Sequence, residues 1–168
     1  MELFVVFFHP KDPRNVADVA SLVKFLRGSL YVVRRPGSPS PIVERLMMSG
    51  GTSVKEYETI EEVLKEVSQA TIHVILETYG EMDLRDLCKR LLDSGMHGGV
   101  AVYIGAEDYG IPPQTVSKVR ERFGSRAYTV RIPVAVAGMS YNVVVSLSIA
   151  LYEILTCIKG WSRHNHLR

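Results

Sequence analysis

The fold is decided by the stretch Val102-Tyr103-Ile104-Gly105-Ala106-Glu107-Asp108-Tyr109-Gly110-Ile111, in which a short apolar run passes into a loop bounded by two glycines. Continuously apolar runs of this length are typical of strands buried on both faces of a parallel sheet. Glycine lets the backbone of such a loop approach a ligand closely. The stretch therefore predicts a buried strand whose carboxyl end opens into a binding loop.

Outward from this strand, short apolar runs alternate with amphipathic segments along the chain. Besides 100–104, the predicted strands are 3–8, 30–33, 54–57, 72–76 and 128–132. The predicted helices are 15–27, 60–69, 84–92, 113–123 and 140–158, with two helical turns over 42–48. This alternation indicates an α/β fold, a mostly parallel sheet with helices on both faces. We predict a single domain over residues 1–168, with a loosely ordered tail over 158–168.

Capping residues set the expected ends of these helices. The predicted N-caps are Asn15 and Asp83, and Thr59 is expected to form a capping box with Glu62. Helices are expected to end at Gly28, Gly95 and Gly124, since glycine is favoured just past a helix end.

Composition excludes several classes of protein. The chain has 168 residues, 46% hydrophobic and 23% charged, which suits a globular domain rather than a disordered segment. Its net charge of +2 is weakly basic, so RNA contacts would have to come from local clusters of Lys and Arg. The uncharged stretch 132–152 contains Pro, Gly and several polar residues, so we interpret it as a buried helix and expect no membrane partner. We expect no secretory signal and a cytoplasmic location.

Neither the cysteines nor the histidines predict a metal site. Cys88 and Cys157 fall in apolar helical patterns and are each expected to be a buried, reduced thiol. His73 lies in a predicted strand and is expected to be structural, while His164 and His166 fall in the expected tail. The glycine fingerprint of dinucleotide-binding folds and the phosphate loop of nucleoside triphosphatases are both missing. These observations argue against a metalloenzyme, a dehydrogenase or an NTPase.

In a sheet of this kind, ligands bind beyond the carboxyl ends of the strands. Three loops fall there, at 77–81, 105–112 and 133–142, and parts of two of them resemble motifs of SpoU/TrmH-like RNA methyltransferases of the SPOUT superfamily. The stretch 102–111 resembles the second motif, a strand running into Gly-x-Glu-x-x-Gly. Ile132-Pro133 followed by Ser140-Tyr141-Asn142-Val143-Val144-Val145 resembles the third, an Ile-Pro ahead of a Ser-Leu-Asn helix start. Asp12-Pro13-Arg14-Asn15-Val16-Ala17 resembles the first, with Ala17 in place of glycine.

The resemblance implies a C-terminal deep trefoil knot, in which the last strand and helix thread through a preceding loop. It also implies that the knot loops hold S-adenosylmethionine, and that the first and last helices pack together in a homodimer. The residues implied to bind the cofactor are Thr78, Tyr79, Gly80, Ile104, Gly105, Glu107, Gly110, Ile132, Pro133, Met139, Ser140, Tyr141, Asn142 and Val143.

The implied activity is methyl transfer to a ribose 2′-hydroxyl of transfer RNA, with Asn15, Glu107, Ser140 and Asn142 as the implied catalytic residues. The family places an arginine six residues after its first-motif Asn, where this chain has Ser21. Serine cannot act as a base, so nearby Arg14 is a candidate substitute. Structural roles are also open: Glu107 could anchor a loop, and Ser140 and Asn142 could cap the last helix.

Candidate contacts to RNA phosphates are Arg34, Arg35, Arg120 and Arg126, although charges at such spacings are also typical of an exposed helix face. The Ser21 substitution keeps two alternatives open: an enzyme of the same fold that methylates a base nitrogen, and a catalytically silent protein that binds S-adenosylmethionine and RNA. An unknotted Rossmann-like binder of small molecules is a further alternative.

Overall fold

A computed structural model describes residues 2–37, 53–94, 98–133 and 141–158. Strands and helices follow one another in the order β1 Leu3–Phe8, α1 Pro13–Phe25, β2 Ser29–Val33, β3 Ser53–Tyr57, α2 Ile60–Glu66, β4 Ile72–Leu76, β5 Met82–Asp83, α3 Leu84–Ser94, β6 Val100–Ile104, α4 Pro113–Phe123, β7 Ala127–Arg131 and α5 Val143–Cys157. A single 3-10 turn, Gly124–Arg126, joins α4 to β7. The six longer strands match those expected from the sequence to within one residue at either end.

The strands form one parallel sheet in the order β3-β2-β1-β6-β4-β7-β5. The register pairs Phe7 with Ile104, Ile75 with Tyr103, and Leu76 with Val130. The carboxyl ends of β6, β4 and β7 therefore lie side by side, and the loops that follow them leave the same edge of the sheet. Helices cover both faces, so the predicted α/β class is confirmed.

Two apolar cores sit on opposite faces of this sheet. On one face, α1, α3 and α5 pack against it through residues such as Val19, Leu87 and Leu151. On the other face, α2 and α4 contribute Val63, Val119 and their neighbours. Every residue of β1 is buried, as a continuously apolar strand between two helical layers requires.

Two expected helix starts were wrong. Asp12, not Asn15, caps α1, because its carboxylate accepts from the Arg14 N–H and Pro13 occupies the first turn, where its fixed φ suits a helix. The start of α3 was predicted correctly: the helix begins at Leu84, directly after Asp83, which is also the last residue of the two-residue strand β5. The last helix begins at Val143 with Asn142 as its cap, three residues later than Ser140.

The residue expected to end α1, Gly28, was also predicted wrongly. Arg27, one residue before Gly28, takes the left-handed conformation with φ 55°. The Arg27 N–H donates to Lys24 O and the Gly28 N–H to Val23 O, both at 2.9 Å, the bond pattern of a Schellman motif. Gly28 is needed for a different reason, since a Cβ there would lie 3.0 Å from Leu3 O. The capping box was predicted correctly, with Glu62 accepting from the Thr59 N–H at 3.0 Å, and Gly124 ends α4 with φ 56°.

Some predictions fall outside the described residues: the turns at 42–48, the stop at Gly95, and most of the tail. The segment 134–140, which any knot would involve, also lies outside them, so the trefoil knot stays a prediction, as does the single-domain assignment. Within the described ranges, no helix is long and apolar enough to cross a membrane. In the same ranges, no cluster of three or more His, Cys, Asp or Glu side chains could hold a metal ion. Both cysteines are free; Cys88 is buried as expected, but Cys157 is only partly buried.

His73 is a structural residue of the core, as predicted. Its imidazole is fully buried, stacks on Phe123 with ring centroids 3.5 Å apart, and hydrogen-bonds through Nδ1 to the Tyr103 hydroxyl at 2.8 Å. Burial, helped by the nearby Arg126 charge, lowers the pKa of His73 from 6.5 to about 4. The imidazole is therefore uncharged in the folded protein at neutral pH.

We expect acid to weaken the fold through His73. Between pH 6.5 and about 4 the unfolded chain binds a proton on this imidazole that the folded chain excludes, so the free energy of unfolding falls as the pH is lowered through that window. Replacing His73 by Gln should remove up to about 3 kcal/mol of this fall. Urea denaturation of both proteins at several pH values measures it; parallel pH slopes would contradict the assignment.

Candidate functional site: a cavity at the carboxyl edge of the sheet

A cavity of about 540 Å³ lies at the carboxyl ends of β4, β6 and β7. The start of α5 also contributes to its wall, through Tyr141, Asn142, Val143 and Ser146. Its volume falls within the range of cavities that hold drug-sized ligands and cofactors, roughly 300–1,000 Å³. The loops after β4 and β6 therefore meet the start of α5 at one site, as the sequence predicted.

The loop after β6 is a tight hairpin. Ala106 N–H donates to Gly110 O at 3.1 Å, and Gly110 N–H donates to Ala106 O at 2.9 Å. A Cβ on Gly105 would lie 2.2 Å from the Gly110 carbonyl carbon, and Gly110 itself has φ 69°. Only glycine at both positions allows this closure without strain, which explains the spacing of the two glycines in the sequence.

Glu77 and Tyr79 join this hairpin to the loop after β4. The Glu77 carboxylate accepts from the Ile111 N–H, and the Tyr79 hydroxyl donates to Ile111 O at 3.1 Å. Burial raises the pKa of Glu77 above its ordinary value, although hydrogen bonds from the Ile111 and Thr78 N–H groups oppose the shift. Glu77 thus lines the cavity as a half-buried carboxylate.

Glu107 holds the hairpin to the start of α1. Its carboxylate accepts from Lys11 N–H at 2.8 Å, from Asp12 N–H at 3.1 Å and from the Asn15 side-chain amide at 2.9 Å. Orphan donors at a helix start are satisfied in this way, and negative charge is favourable there. The structure therefore brings the predicted site residues Asn15 and Glu107 together, with Glu107 acting as the loop anchor.

The candidate base Arg14 is not part of the cavity wall. Its guanidinium donates to the Asp12 carboxylate, with Nη2 at 2.8 Å, and its side chain is 88% exposed. This contact holds the pKa of Asp12 below its ordinary value. Ser21 is also exposed, and its hydroxyl donates back to Ala17 O at 2.9 Å within the same helix. Neither side chain is placed for proton transfer in the cavity of this chain.

Most residues implied to bind the cofactor do line the cavity: Thr78, Tyr79, Ile104, Gly105, Glu107, Gly110, Ile132, Tyr141, Asn142 and Val143. Asn142 combines two roles, because its side-chain oxygen also accepts from Val144 N–H at 2.8 Å as the cap of α5. Gly80 and Pro133 do not line the cavity; Gly80 instead packs on the backbone of β7, where a Cβ would lie 2.3 Å from the Val130 carbonyl carbon. Met139 and Ser140 lie outside the described residues.

The four arginines expected to contact RNA all have partners within the chain. Arg34 pairs with Glu58, Arg35 with Asp108, and Arg120 with Glu81. Arg126 donates to Ala70 O at 3.1 Å and lies over the Phe123 ring. Exposed ion pairs contribute little to stability. The RNA role of these four arginines stays a prediction.

A polar cluster at the cavity rim was missed by the sequence analysis. His9 Nδ1 lies 2.7 Å from the Tyr109 hydroxyl, and the Arg35 guanidinium lies 5.0 Å from the centre of the Tyr109 ring. Burial and the Arg35 charge lower the pKa of His9, so its ring is uncharged at neutral pH. His9 also has φ 52°, rare for a residue with a side chain. The position of His9 directly after β1, at the carboxyl edge of the sheet, was the one sequence feature that could have indicated a role at the site.

The family follows from comparison with known proteins. The model of the SpoU rRNA Methylase family matches residues 2–152, nearly the whole chain. This chain belongs to that family. The prediction of a SpoU-type RNA methyltransferase is confirmed at that level.

Solved structures share the fold of this SpoU-family chain. One, described as giving structural insights into the 2-OH methylation of C/U34 on tRNA, is 21% identical with a TM-score of 0.69 and covers 91% of this chain and 93% of its own. An AdoMet-bound rRNA methyltransferase from Sinorhizobium meliloti is 20% identical with a TM-score of 0.69, and the match covers 92% of this chain and 56% of that protein's chain. An RNA 2'-O ribose methyltransferase is 22% identical with a TM-score of 0.67, and the match covers 93% of this chain and 56% of that protein's chain. No curated protein sequence matches.

The family assignment and the AdoMet-bound relative support S-adenosylmethionine as the cofactor. The cavity fits that group by its charge. Three carboxylates line it, from Glu77, Glu107 and Asp108, and no lysine or arginine does so among the described residues. Such a lining suits a nucleoside that carries a positive charge, and disfavours the phosphates of a dinucleotide.

The Glu107 anchor can be tested by its effect on stability. Replacing Glu107 by Ala leaves two backbone N–H groups and one side-chain amide without their acceptor, so we expect the free energy of unfolding to fall by about 1–2 kcal/mol. Gln, which keeps one acceptor oxygen, should restore part of the loss.

Asp86→Ala, which removes an exposed contact with Lys89 and a charge in the first turn of α3, serves as the control and should cost less than Glu107→Ala. Urea denaturation compares the four proteins. Equal stability of Glu107→Ala and wild type would show that the anchor contributes nothing.

Proposed function

We propose that this chain is an S-adenosylmethionine-dependent methyltransferase that acts on a ribose 2′-hydroxyl of transfer RNA. The observation that supports this proposal is the cavity at the carboxyl ends of β4, β6 and β7, whose wall includes residues of the stretches that resemble the family's second and third motifs. The relatives described as acting on tRNA and on RNA ribose support the choice of acceptor.

The cofactor would lie against the backbone of the loops after β4 and β6, with Asn142 and Tyr141 at the start of α5. When bound, it supplies a methyl group on a positively charged sulfur. The chain's own residues must then align the acceptor oxygen and take up its proton. Ser21 cannot take that proton. The uncharged His9 ring, hydrogen-bonded to Tyr109 at the cavity rim, can take it through the Tyr109 hydroxyl in the tautomer whose Nδ1 is unprotonated.

Aromatic side chains around the cavity support an RNA substrate. Tyr79, Tyr109 and Tyr141 all line the cavity, and they are 54%, 50% and 42% exposed. Sequence-specific RNA recognition favours unstacked bases, which stack on aromatic side chains of this kind. Arg34, Arg35 and Arg120 would then hold phosphates in place of their present carboxylate partners, and Arg126 in place of Ala70 O.

A homodimer is part of the proposal. Phe25 on α1 and Tyr152 on α5 are 84% and 70% exposed, and Val145 on α5 is 46% exposed. The two helices contact one another, so these side chains extend from one helical layer. Burial against a second copy would remove them from water.

The two alternatives differ in what the protein does with RNA. An enzyme that methylates a base nitrogen would give a labelled base rather than a labelled ribose. A silent binding protein would bind S-adenosylmethionine and transfer nothing. Ser21 is the observation that favours either alternative, because the residue in the family's arginine position has no proton-accepting group at neutral pH.

The test is transfer of labelled methyl groups to total transfer RNA, followed by nucleoside analysis. We expect 2′-O-methyl nucleosides as products. Replacing Asn142 by Ala should lower the rate at least about tenfold, because misplacing the reacting groups by about 1 Å is costly.

Asn142→Ser separates this role from capping, since serine is also a good N-cap. We expect Asn142→Ser to keep the stability of wild type and lose transfer. Full activity in the Ser variant would reduce Asn142 to a helix cap. Methylated bases, or binding without transfer, would replace the proposed reaction by the corresponding alternative.

A further inference from the structure

The three carboxylates that line the cavity differ in how their charge is balanced. Glu107 accepts three hydrogen bonds at the start of α1, where the helix dipole favours an anion. Asp108 pairs with Arg35 at 2.6 Å and with Lys11 at 3.6 Å, which keeps the pKa of Asp108 low. Both charges are therefore already compensated within the chain.

Glu77 has no such partner. Among the described residues, no lysine, arginine or histidine forms an ion pair with it, and its hydrogen bonds come from the uncharged N–H groups of Ile111 and Thr78. It is also half-buried beside Gly110, where a Cβ would lie 2.8 Å from both carboxylate oxygens. A carboxylate in these surroundings loses hydration without gaining a counter-charge, which disfavours its charged form.

The contact with Ile111 does not by itself require a charge. A glutamine at this position has a side-chain oxygen that accepts from the same N–H and avoids the cost of burying an anion. A carboxylate is advantageous here if a cation enters the cavity, since opposite charges attract strongly where water is partly excluded.

We propose that Glu77 is the counter-charge for the donor's sulfonium, and that it makes this cavity prefer the cationic methyl donor to its uncharged thioether product. The inference rests on the proposed function, because it takes S-adenosylmethionine as the ligand. Once the methyl group has left, the sulfur is neutral and the attraction to Glu77 is gone. The product S-adenosylhomocysteine is then held less tightly and leaves the cavity.

The preference should depend on pH. Burial raises the pKa of Glu77, so protonation removes its charge at a higher pH than for an exposed glutamate. The preference is complete above that pKa and declines as the pH falls through it. The other titratable groups around the cavity are Glu107, Asp108, Tyr79, Tyr109 and Tyr141, with His9 at its rim. Arg35 and Lys11 favour the ionised form of Asp108, whereas protonation of His9 in acid adds a positive charge near the cavity.

The experiment compares Glu77→Gln with wild type by calorimetric titration of S-adenosylmethionine and S-adenosylhomocysteine at neutral pH. We expect the variant to lose affinity for the cationic ligand by about tenfold or more and to bind the neutral one almost as wild type does. Glu81→Gln is the matched control: it removes the same charge from the same loop, but its side chain pairs with Arg120 and does not line the cavity. The control should keep the wild-type ratio of the two affinities.

Equal loss for both ligands would overturn the inference, because Glu77 would then bind a group that they share. An unchanged ratio would overturn it as well. Wild-type protein that binds neither ligand would contradict the proposed function itself. If Glu77→Gln does not fold, the same ratio measured as the pH is lowered, on wild type and on His9→Gln, decides the question. A ratio that stays constant in His9→Gln contradicts the inference, and a declining preference for the donor in both proteins supports it.

Discussion

Direct contact of backbone with backbone at the carboxyl edge of the sheet is the constraint on which the site depends. Gly80 lies against the end of β7, and Gly105 lies against Gly110, at distances that leave no room for a Cβ at either position. Because side chains are excluded from these contacts, the loops after β4 and β6 stay close to the sheet. The space that remains between them and the start of α5 is the cavity.

The fold was largely predictable because buried parallel strands have a simple sequence pattern. β1 and β6 consist of aliphatic and aromatic residues that are all buried, as strands between two helical layers favour. Helix ends were harder to predict, since several residues nearby could cap equally well. Asp12 and Asn15 are both residue types that cap helices well. Only the structure shows that Asp12 is the cap of α1 and that the Asn15 side chain instead contacts Glu107. The two-residue strand β5 is too short to have any pattern.

The positions of the loops around the cavity could be predicted from the sequence, but the charge balance of the side chains that line it could not. Glycine spacing and the Ile-Pro and Asn positions located the loops, because those residues are needed by the local backbone. The charge balance of Glu77, Glu107 and Asp108 depends on residues about 30 to 100 positions away in the chain. No local pattern shows which carboxylate is left without a partner. The conformation of His9 escaped prediction for the same reason, as Tyr109 is 100 residues away.

The hydrogen bonds of Glu107 have a consequence for communication within the molecule. They join the hairpin that forms one wall of the cavity to the first turn of α1, which packs against α5 on the sheet face carrying Phe25 and Tyr152. A ligand that tightens the hairpin therefore also restrains α1, and thermodynamic reciprocity requires that restraining α1 tighten the hairpin. If the proposed homodimer forms through this helical layer, the hydrogen bonds of Glu107 would couple ligand binding in the cavity to dimer formation.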